Sequence, residues 1–451
     1  MKLVFVNIMQ ELQRFDSTAY ITQPPVSLAL LDAATPKIIE TALVDEQADQ
    51  IQFDGDVFAF SVSTQNASAV YDHADALRAA GKKVILGGIH ITVCPEEAER
   101  HADTIVTGEA ETIWPEVCDD LLAGTLKERY PGAPTPPSRM TPVDYRFFGH
   151  RRYLTPASLF ATRGCTRGCT FCVSSRYLGP YRMKPLDVLE QEIDQLTKRH
   201  PRAFLQFTDD NLLANRKYSI ELLALLQRKR KRFVTMVTLD QFCDRGLIAD
   251  MVAAGCLGVA VGVESIDDDN CASVRKYHNV QQPFSEAVDY ANRSGMQVVP
   301  LIMVGLPHDT PERLARTLRY LKHIPCSLYD IRVMRIYPGT PLYQQMLVSG
   351  AVVKDWWLEK DSRSTCNHLL PSCLSVHFTH GHFDSMQLQH MALQLTSELN
   401  AMSYKHMAHI IRVGLKGDGL RCAGTLLYAR QRSAGQARML LKQVEQVMSL
   451  A

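Results

Sequence analysis

Short apolar runs alternate with helical stretches in two successive blocks of this 451-residue chain, and that pattern leaves few folds open to it. In the first block the strand-like runs fall at residues 2–7, 39–44, 57–62, 83–86 and 105–106. Strands separated by single helices favour a parallel sheet with helices on both faces. We therefore predict a Rossmann-like, doubly wound α/β sheet within residues 1–130, with any ligand at the carboxyl ends of its strands.

A proline-rich segment separates the two blocks. Four prolines occur within residues 131–137, so we assign residues 131–155 to a linker. The second block has six strand-like runs, at residues 158–162, 203–208, 233–238, 258–263, 297–304 and 331–336. Six βα units are fewer than the eight of a closed barrel, so we predict an open, partial (β/α)6 barrel over residues 156–344. Residues 345–451 lack strand signals and are predicted to form a mostly helical C-terminal cap.

The overall charge is close to neutral, with 49 Lys and Arg against 48 Asp and Glu. This balance gives no reason to expect a nucleic acid or an anionic membrane as partner. Residues 1–8 lack a signal-peptide cleavage pattern, and no apolar run reaches the ~20 residues that a membrane span needs. We therefore expect a cytoplasmic protein without a membrane span, whose 12 cysteines are thiols or metal ligands rather than disulfides.

Three of the cysteines are clustered directly after the first strand of the second block. The segment reads Cys165-Thr166-Arg167-Gly168-Cys169-Thr170-Phe171-Cys172. Thiolates at this spacing on a glycine-containing loop can converge on one inorganic centre, as the ligands of Fe–S clusters do. A structural zinc site takes four protein ligands, and no fourth Cys or His lies near in sequence. We predict that Cys165, Cys169 and Cys172 hold an Fe–S cluster with one open iron; buried or zinc-binding cysteines are the alternative.

The Cys-x3-Cys-x2-Cys motif after the first strand of a partial barrel resembles the signature of the radical S-adenosylmethionine (SAM) superfamily. The resemblance implies a [4Fe–4S] cluster whose open iron binds SAM and whose electron cleaves it to a 5′-deoxyadenosyl radical. It also implies SAM-binding residues near the cluster and at successive strand ends. These are Phe171 beside the adenine, then Thr208, Asp209, Asp210, Glu264, Gly305 and Tyr337. For the acidic members, a place at a helix N-terminus or an ion pair is the alternative role.

Segments of the first block resemble the cobalamin-binding domain that precedes many radical SAM barrels. The resemblance rests on residues 24–28, 86–90, 95–97 and 108–111. It implies that small and polar residues at strand ends contact cobalamin, namely Ser61, Ser63, Thr64, Gly87, Gly88, Gly108 and Glu109. Residues 44–49, comparable to the Asp-x-His-x-x-Gly loop of the mutases, contain no His for the lower axial position. A lone His90 after a glycine pair is expected to be a loop residue rather than a ligand.

The C-terminal third contains scattered histidines and cysteines. They are His377, His380, His382, Cys366, Cys373 and Cys422. Their spacings match no compact Fe–S or zinc motif, so we do not expect a second metal centre there. Trp356 and Trp357 are expected to anchor the cap by packing rather than to line a pocket.

The two resemblances together identify the chain as a cobalamin-binding-domain-containing radical SAM enzyme. They imply cobalamin-dependent methylation of an unactivated carbon in a small-molecule or natural-product substrate, with flavodoxin or ferredoxin as electron donor. A non-methylating radical reaction (cyclisation, ring rearrangement or oxidation) is the alternative, because a fold does not determine the reaction. A non-catalytic cofactor carrier is a third hypothesis, and the polar residues at successive strand ends argue against it.

Overall fold

The computed structural model describes residues 1–9, 22–358, 375–416 and 420–450. Two six-stranded parallel sheets form its centre, and helices cover them. This is the predicted α/β class, with a doubly wound sheet, then a partial barrel, then a helical C-terminal region, and the prediction is confirmed. No helix among the described residues is long and apolar enough to cross a bilayer.

Sheet 1 is formed by the first part of the chain. It contains β1 (Lys2–Asn7), β2 (Glu40–Asp45), β3 (Val57–Ser61), β4 (Lys83–Gly87), β5 (Thr104–Thr107) and β6 (Arg129–Pro131), in the order β2-β1-β3-β4-β5-β6. Its helices are α1 (Val26–Ala34), α2 (Ala67–Ala79), α3 (Ile89–Val93), α4 (Pro95–Ala98) and α5 (Trp114–Ala123). Successive residues of β1 are buried, as expected of a parallel strand covered on both faces.

Strand β6 lies at the edge of sheet 1, in the segment whose prolines predict a linker. Among the described strands it pairs with β5 only, and Pro131 is tolerated because an edge strand needs ladder hydrogen bonds on one side alone. Directly after it, the Gly132 N–H donates to the Thr107 carbonyl at 2.7 Å. Gly108 has φ +73° there, and a Cβ on it would overlap the Gly132 carbonyl, so this crossing requires glycine. The proline pattern thus excludes a central strand but not this edge strand.

Sheet 2 is formed by the second block. It contains β7 (Ser158–Leu159), β10 (Leu205–Phe207), β11 (Phe233–Thr238), β12 (Cys256–Glu264), β13 (Gln297–Val304) and β14 (Asp330–Val333), and each of these six pairs with the next one in this order. The order β14-β13-β12-β11-β10-β7 leaves β7 and β14 at opposite edges, as an open partial barrel requires. Two short strands, β8 (Thr162–Arg163) and β9 (Arg182–Met183), form an antiparallel ribbon around the cysteine segment.

Helices alternate with the strands of sheet 2. They are α6 (Ser174–Tyr177), α7 (Leu186–Arg199), α8 (Arg216–Lys229), α9 (Leu239–Cys243), α10 (Arg245–Ala253), α11 (Asp268–Ser273), α12 (Phe284–Arg293), α13 (Pro311–Lys322) and α14 (Pro341–Val348). The cap that follows consists mainly of α15 (Ser385–Leu399), α16 (Tyr404–Lys416) and α17 (Leu420–Leu450). Helix α13 begins as its sequence predicts, because the Thr310 hydroxyl caps the Arg313 N–H and Pro311 occupies the first turn.

Side chains from distant parts of the chain fasten the first domain to the barrel. The Tyr153 hydroxyl donates to the buried Asp45 carboxylate at 2.8 Å, and Arg151 pairs with Asp49 at 2.6 Å. Gln65, after β3, donates to the Tyr337 hydroxyl after β14 at 2.5 Å. The first two contacts bind the segment before β7 to sheet 1, and the third joins the carboxyl ends of the two sheets.

Candidate active site between the two sheets

A cavity of about 870 Å³ lies between the carboxyl ends of the two sheets. One wall comes from the ends of β3, β4 and β5 in sheet 1, and the other from the ends of β10, β13 and β14 in sheet 2. Ligands of parallel α/β sheets bind at such strand ends. The strand ends at which the sequence predicts two separate ligands, cobalamin and SAM, therefore line one shared cavity.

Most residues that the sequence analysis assigns to cobalamin line this cavity. They are Ser61, Ser63, Gly87, Gly88, Gly108 and Glu109. Thr64 is absent from the lining because its side chain is buried beneath the surface of sheet 1, where its hydroxyl meets the His90 ring at 3.2 Å. The small residues leave an open floor at the ends of three neighbouring strands, which is the shape that a large planar ligand requires.

The two glycines at the end of β4 have different roles. Gly88 has φ +110°, and a Cβ on it would lie 2.6 Å from the Val62 carbonyl oxygen, so this position requires glycine for its own backbone packing. Gly87 has no such restriction, since a Cβ there would make only ordinary contacts, at 3.6 Å or more, with Val106. A side chain at Gly87 would therefore fill space in the cavity, whereas a side chain at Gly88 would disturb the backbone packing of the loop.

His90 is a helical residue rather than the loop residue that its glycine neighbours suggest. It lies fully buried in α3, with one ring nitrogen 3.2 Å from the Thr64 hydroxyl and the other 3.0 Å from the Glu97 carboxylate. Glu97 also accepts hydrogen bonds from Tyr71 and Trp357. Both nitrogens of His90 are thus engaged inside the protein, and none of the described residues lining the cavity is a histidine.

The residues assigned to SAM divide into two groups. Phe171, Thr208, Asp209, Asp210 and Tyr337 line the cavity. Glu264 and Gly305 are not among its described lining residues. Gly305 has φ +93° and donates its N–H to Asp309 at 2.8 Å, and a Cβ on it would lie 3.0 Å from the Phe378 ring, which explains the glycine without a ligand.

The cysteine loop (residues 164–173) joins β8 to α6 at the rim of the cavity. Cys165 Sγ accepts from the Arg167 N–H at 3.5 Å and from Asn211 Nδ2 at 3.7 Å, and the Cys172 N–H donates to the Cys169 carbonyl at 3.2 Å. Burial raises the pKa of Cys169 to about 11; Lys276 opposes this, while the neighbouring Cys172 and Cys165 add to it. Cys165, Cys169 and Cys172 are all free thiols.

The residues of the loop are of the type that holds an Fe–S cluster. Among the described residues, no three His, Cys, Asp or Glu side chains are arranged to hold one metal ion. A [4Fe–4S] cluster binds each thiolate through a different iron, so its ligands need not converge on one point. Gly168 is exposed, and a Cβ on it would meet nothing within 4 Å, so this part of the loop is not crowded. The three thiols suit such a cluster in their chemistry.

Glu264 is held next to the cysteine loop by a buried ion pair. Its carboxylate lies 2.6 Å from Lys276 Nζ, and Lys276 is the cation that acts on Cys169. Glu264 has φ +59° at a register shift of β12, a conformation that costs about 1–3 kcal/mol for a residue other than glycine. Such strain persists where surrounding contacts enforce it, and here the ion pair does so.

Asp209 holds the backbone that leads into the cysteine loop. Its buried carboxylate accepts from the Ala161 N–H at 3.0 Å and from the Thr162 N–H and hydroxyl at 2.5 and 2.6 Å. Burial raises the pKa of Asp209 to about 7, although these three donors oppose the shift. Its lone pairs are therefore committed to the protein, whereas Asp210 accepts from Ser174 at 2.8 Å and opens into the cavity.

Glu109 is the centre of an ion-pair cluster between the two domains. It lies 2.8 Å from Arg163 and 2.5 Å from Arg182, and it accepts the Thr135 N–H at 2.7 Å. Burial opposes ionisation, but the hydrogen bond from Arg182 and the charge of Arg163 lower the pKa of Glu109 to about 2. Arg163 also pairs with Glu111. The residue assigned to cobalamin is thus also the link between sheet 1 and the ribbon that carries the cysteine loop.

Several lining residues escape the sequence analysis. Arg332 and Arg335 reach the cavity from the end of β14, and Met303 reaches it from β13. Arg332 is paired with Asp330 at 2.9 Å, whereas Arg335 Nη2 is buried without a hydrogen-bond partner among the described residues. An isolated arginine after a strand belongs to no recognisable motif. Its position at the strand end is the one sequence signal that could have identified it as a site residue.

The cap residues take structural places. Trp356 donates to the Ile336 carbonyl at 2.9 Å and stacks on His377, and Trp357 donates to Glu97 at 3.1 Å. His380 contacts the Leu306 carbonyl at 2.9 Å. Cys422 is buried, and Cys366 and Cys373 lie outside the described residues. Both tryptophans are buried and absent from the described cavity lining, as expected of packing residues.

The comparisons with known proteins agree with this geometry. The family model "Radical SAM superfamily" matches residues 159–321, and "B12 binding domain" matches residues 25–118. The chain is 30% identical to a bacteriochlorophyllide d C-8(2)-methyltransferase of Chlorobaculum tepidum, over 73% of this chain and 78% of that protein. It is 26% identical to a hopanoid C-2 methylase of Rhodopseudomonas palustris, over 77% and 68%.

Solved structures share the whole fold. The radical SAM methyltransferase TsrM of Kitasatospora setae superimposes with a TM-score of 0.68, covering 99% of each chain at 15% identity. The cobalamin-dependent SAM radical enzyme OxsB gives a TM-score of 0.66 over 98% of this chain and 80% of that one, at 13% identity. The chain therefore belongs to the radical SAM enzymes that carry a B12-binding domain ahead of the barrel, a family whose cofactors are a [4Fe–4S] cluster, SAM and cobalamin.

Proposed function

We propose that the protein is a methyltransferase that acts on an unactivated carbon of a small-molecule, natural-product substrate. The observation that carries the proposal is the single cavity between the two sheets, which residues of both predicted cofactor sets line. A methyl donor on one wall and a radical source on the other would then reach the same substrate carbon. The relatives named for bacteriochlorophyllide and hopanoid methylation support this reaction class.

The residues have distinct roles in this proposal. When bound, the cluster with SAM supplies a 5′-deoxyadenosyl radical, and cobalamin supplies a methyl carrier. Cys165, Cys169 and Cys172 hold the cluster, and Phe171 packs against the SAM adenine. The other polar members of the barrel wall orient SAM, while the small residues of the sheet 1 wall accommodate the corrin. Apolar side chains of the lining exclude water from the radical.

Arg335 is the side chain we assign to an oxygen of the substrate. A buried donor without a partner costs about 1–3 kcal/mol, which a bound oxygen recovers. The guanidinium lies 5.7 Å from the centre of the Trp356 ring, and Arg335 lines the cavity. We therefore expect Arg335→Gln to raise KM for the substrate while SAM cleavage without substrate is unchanged.

A non-methylating radical reaction is the second candidate. An anaerobic magnesium-protoporphyrin IX monomethyl ester cyclase of Rubrivivax gelatinosus is 24% identical over 41% of this chain and 34% of that protein. Under either reaction we propose a low-potential electron donor such as flavodoxin or ferredoxin. We also propose a cytoplasmic location, which such a donor and the free cysteines of the described chain favour.

One anaerobic experiment separates the candidates. The protein is reconstituted with iron, sulfide and hydroxocobalamin, desalted, and incubated with a reductant, SAM and extracts that contain candidate substrates. Methylation predicts retained cobalamin, both 5′-deoxyadenosine and S-adenosylhomocysteine, and a product in which one hydrogen is replaced by a methyl group, a net gain of CH2. Deoxyadenosine without S-adenosylhomocysteine would instead indicate the second candidate. The control is the same protein with all three cluster cysteines replaced by Ala, which should form neither nucleoside.

A further inference from the structure

Helix α16 has an exposed apolar stripe on the face turned away from the protein. Its other face is fastened to the barrel, because Ile410, Val413 and Gly414 are buried and Gln297 Nε2 of β13 donates to the Ile410 carbonyl at 2.8 Å. The exposed apolar side chains are Tyr404 (87% exposed), Met407 (36%), Ile411 (37%) and Leu415 (58%). Their spacing of three, four and four residues places them in one row along the helix.

A row of cations runs beside this stripe. Lys405, Arg412 and Lys416 are exposed and recur at intervals of seven and four residues, which places them together on one flank of the stripe. Helix α16 contains no Asp or Glu. An apolar row with a basic flank, on a helix already held by its opposite side, is the pattern of a helix that lies in the surface of an anionic bilayer.

The near-zero net charge of the whole chain conceals an uneven distribution of charge along the sequence. Residues 401–451 contain eight Lys and Arg against two Asp and Glu, which leaves 41 basic against 46 acidic residues in the first 400. The near-neutral total, which gives no reason to expect an anionic membrane, is therefore the sum of an acidic body and a basic C-terminal segment. The exposed cations on α16 attract an anionic surface and orient the approach of the protein to it.

We propose that α16 is an interfacial anchor, which places Tyr404, Met407, Ile411 and Leu415 in the headgroup boundary of an anionic membrane while Lys405, Arg412 and Lys416 pair with lipid phosphates. The alternative occupant is a second copy of the chain. Pairing two copies through this stripe brings the basic flanks together with no acidic residue on either α16 to compensate them. The charge therefore favours an anionic surface over self-association.

The test is co-sedimentation of the full-length reconstituted protein with two kinds of vesicle, phosphatidylcholine alone and phosphatidylcholine with roughly a quarter phosphatidylglycerol. We expect binding to the phosphatidylglycerol vesicles, weaker binding to phosphatidylcholine, and release by high salt. Ile411→Ser with Leu415→Ser, and separately Lys405→Ser with Arg412→Ser, should each lower the partition coefficient at least about tenfold. These residues are exposed, so the variants should keep the far-ultraviolet circular dichroism of the wild type.

The control removes at least as much exposed apolar surface elsewhere. Ile220 is 56% exposed on α8 and Val348 is 89% exposed at the end of α14. Ile220→Ser with Val348→Ser should leave the partition coefficient unchanged. The proposal is overturned if neither vesicle binds, if both vesicles bind equally, or if the α16 variants bind like the control. It is also overturned if sedimentation analysis shows a dimer that the Ile411 and Leu415 changes dissociate. None of these outcomes depends on the methylation reaction.

Discussion

Replacing Glu109 by Gln removes the one charge that both Arg163 and Arg182 share at the junction of the domains. The pKa of Glu109 is about 2 against an ordinary 4.5. A shift of one pKa unit corresponds to about 1.36 kcal/mol, so the folded junction stabilises the ionised form of Glu109 by about 3 kcal/mol. Solvent screens this stabilisation only weakly, because the side chains of Glu109, Arg163 and Arg182 are mostly buried. Glutamine keeps the shape of the side chain but leaves two arginines undercompensated, a change that costs about 3–5 kcal/mol at buried pairs.

Hydrogen exchange is the suitable assay, because a two-domain chain need not unfold in one transition. A loss of about 3 kcal/mol predicts roughly hundredfold faster exchange of amides at the junction, such as that of Thr135, which donates to Glu109. Glu116→Gln is the matched control, since Glu116 pairs with Lys127 on the exposed surface and should change nothing measurable.

The pH dependence has a definite sign. The folded-state pKa of Glu109 is depressed, so its stabilisation is complete above the unfolded value of about 4.5 and is lost as the pH falls toward 2. The junction of Glu109→Gln should not show this loss. Acceleration below about tenfold in the variant, or an equal effect of Glu116→Gln, would refute the argument that a buried charge joins the domains.

Three further outcomes follow from the site. Replacing all three cysteines of the cysteine loop by Ala should abolish iron binding and SAM cleavage together, and full cleavage by that variant would refute the cluster assignment; Cys243→Ala is the control. Gly87→Val should lower cobalamin occupancy at unchanged thermal stability, whereas Gly88→Val should destabilise the protein because its side chain overlaps Val62. Equal behaviour of the two variants would place the corrin elsewhere. Asp209→Ala leaves three hydrogen-bond donors without their acceptor. It should therefore lower the free energy of unfolding by about 3 kcal/mol or more, and the variant should also retain less cluster. An unchanged denaturation midpoint would contradict this.

The strands could be predicted from the sequence because parallel strands covered on both faces are short, continuous apolar runs. Residues 233–238 and 297–304 match β11 and β13 residue for residue. Predicted strand 158–162 ends early, at Leu159, because the Asp209 carboxylate draws the Ala161 and Thr162 amides out of the sheet. That interaction joins residues 48 positions apart, and local patterning has no access to it.

The site was predictable where its chemistry is local in sequence and unpredictable where it is not. Cysteine spacing and the glycine pair at β4 are local signals, and the structure places them at the rim and the wall of the cavity. The second role of Glu109 is a contact with Arg182, 73 positions away, so its motif suggested a cofactor contact alone. The basic flank of α16 was missed for another reason, since net charge averages over the chain and discards position.

The hydrogen bond from Trp357 to Glu97 joins residues 260 positions apart, and it has a consequence for biosynthesis. Sheet 1 has all its strands once Pro131 has left the ribosome, and N-terminal domains generally fold first during synthesis. The Glu97 carboxylate, which contacts His90, cannot accept the hydrogen bond from Trp357 until the entire barrel has been translated. The nascent first domain therefore carries an incompletely satisfied polar network, and its final packing is completed late, when the cap arrives.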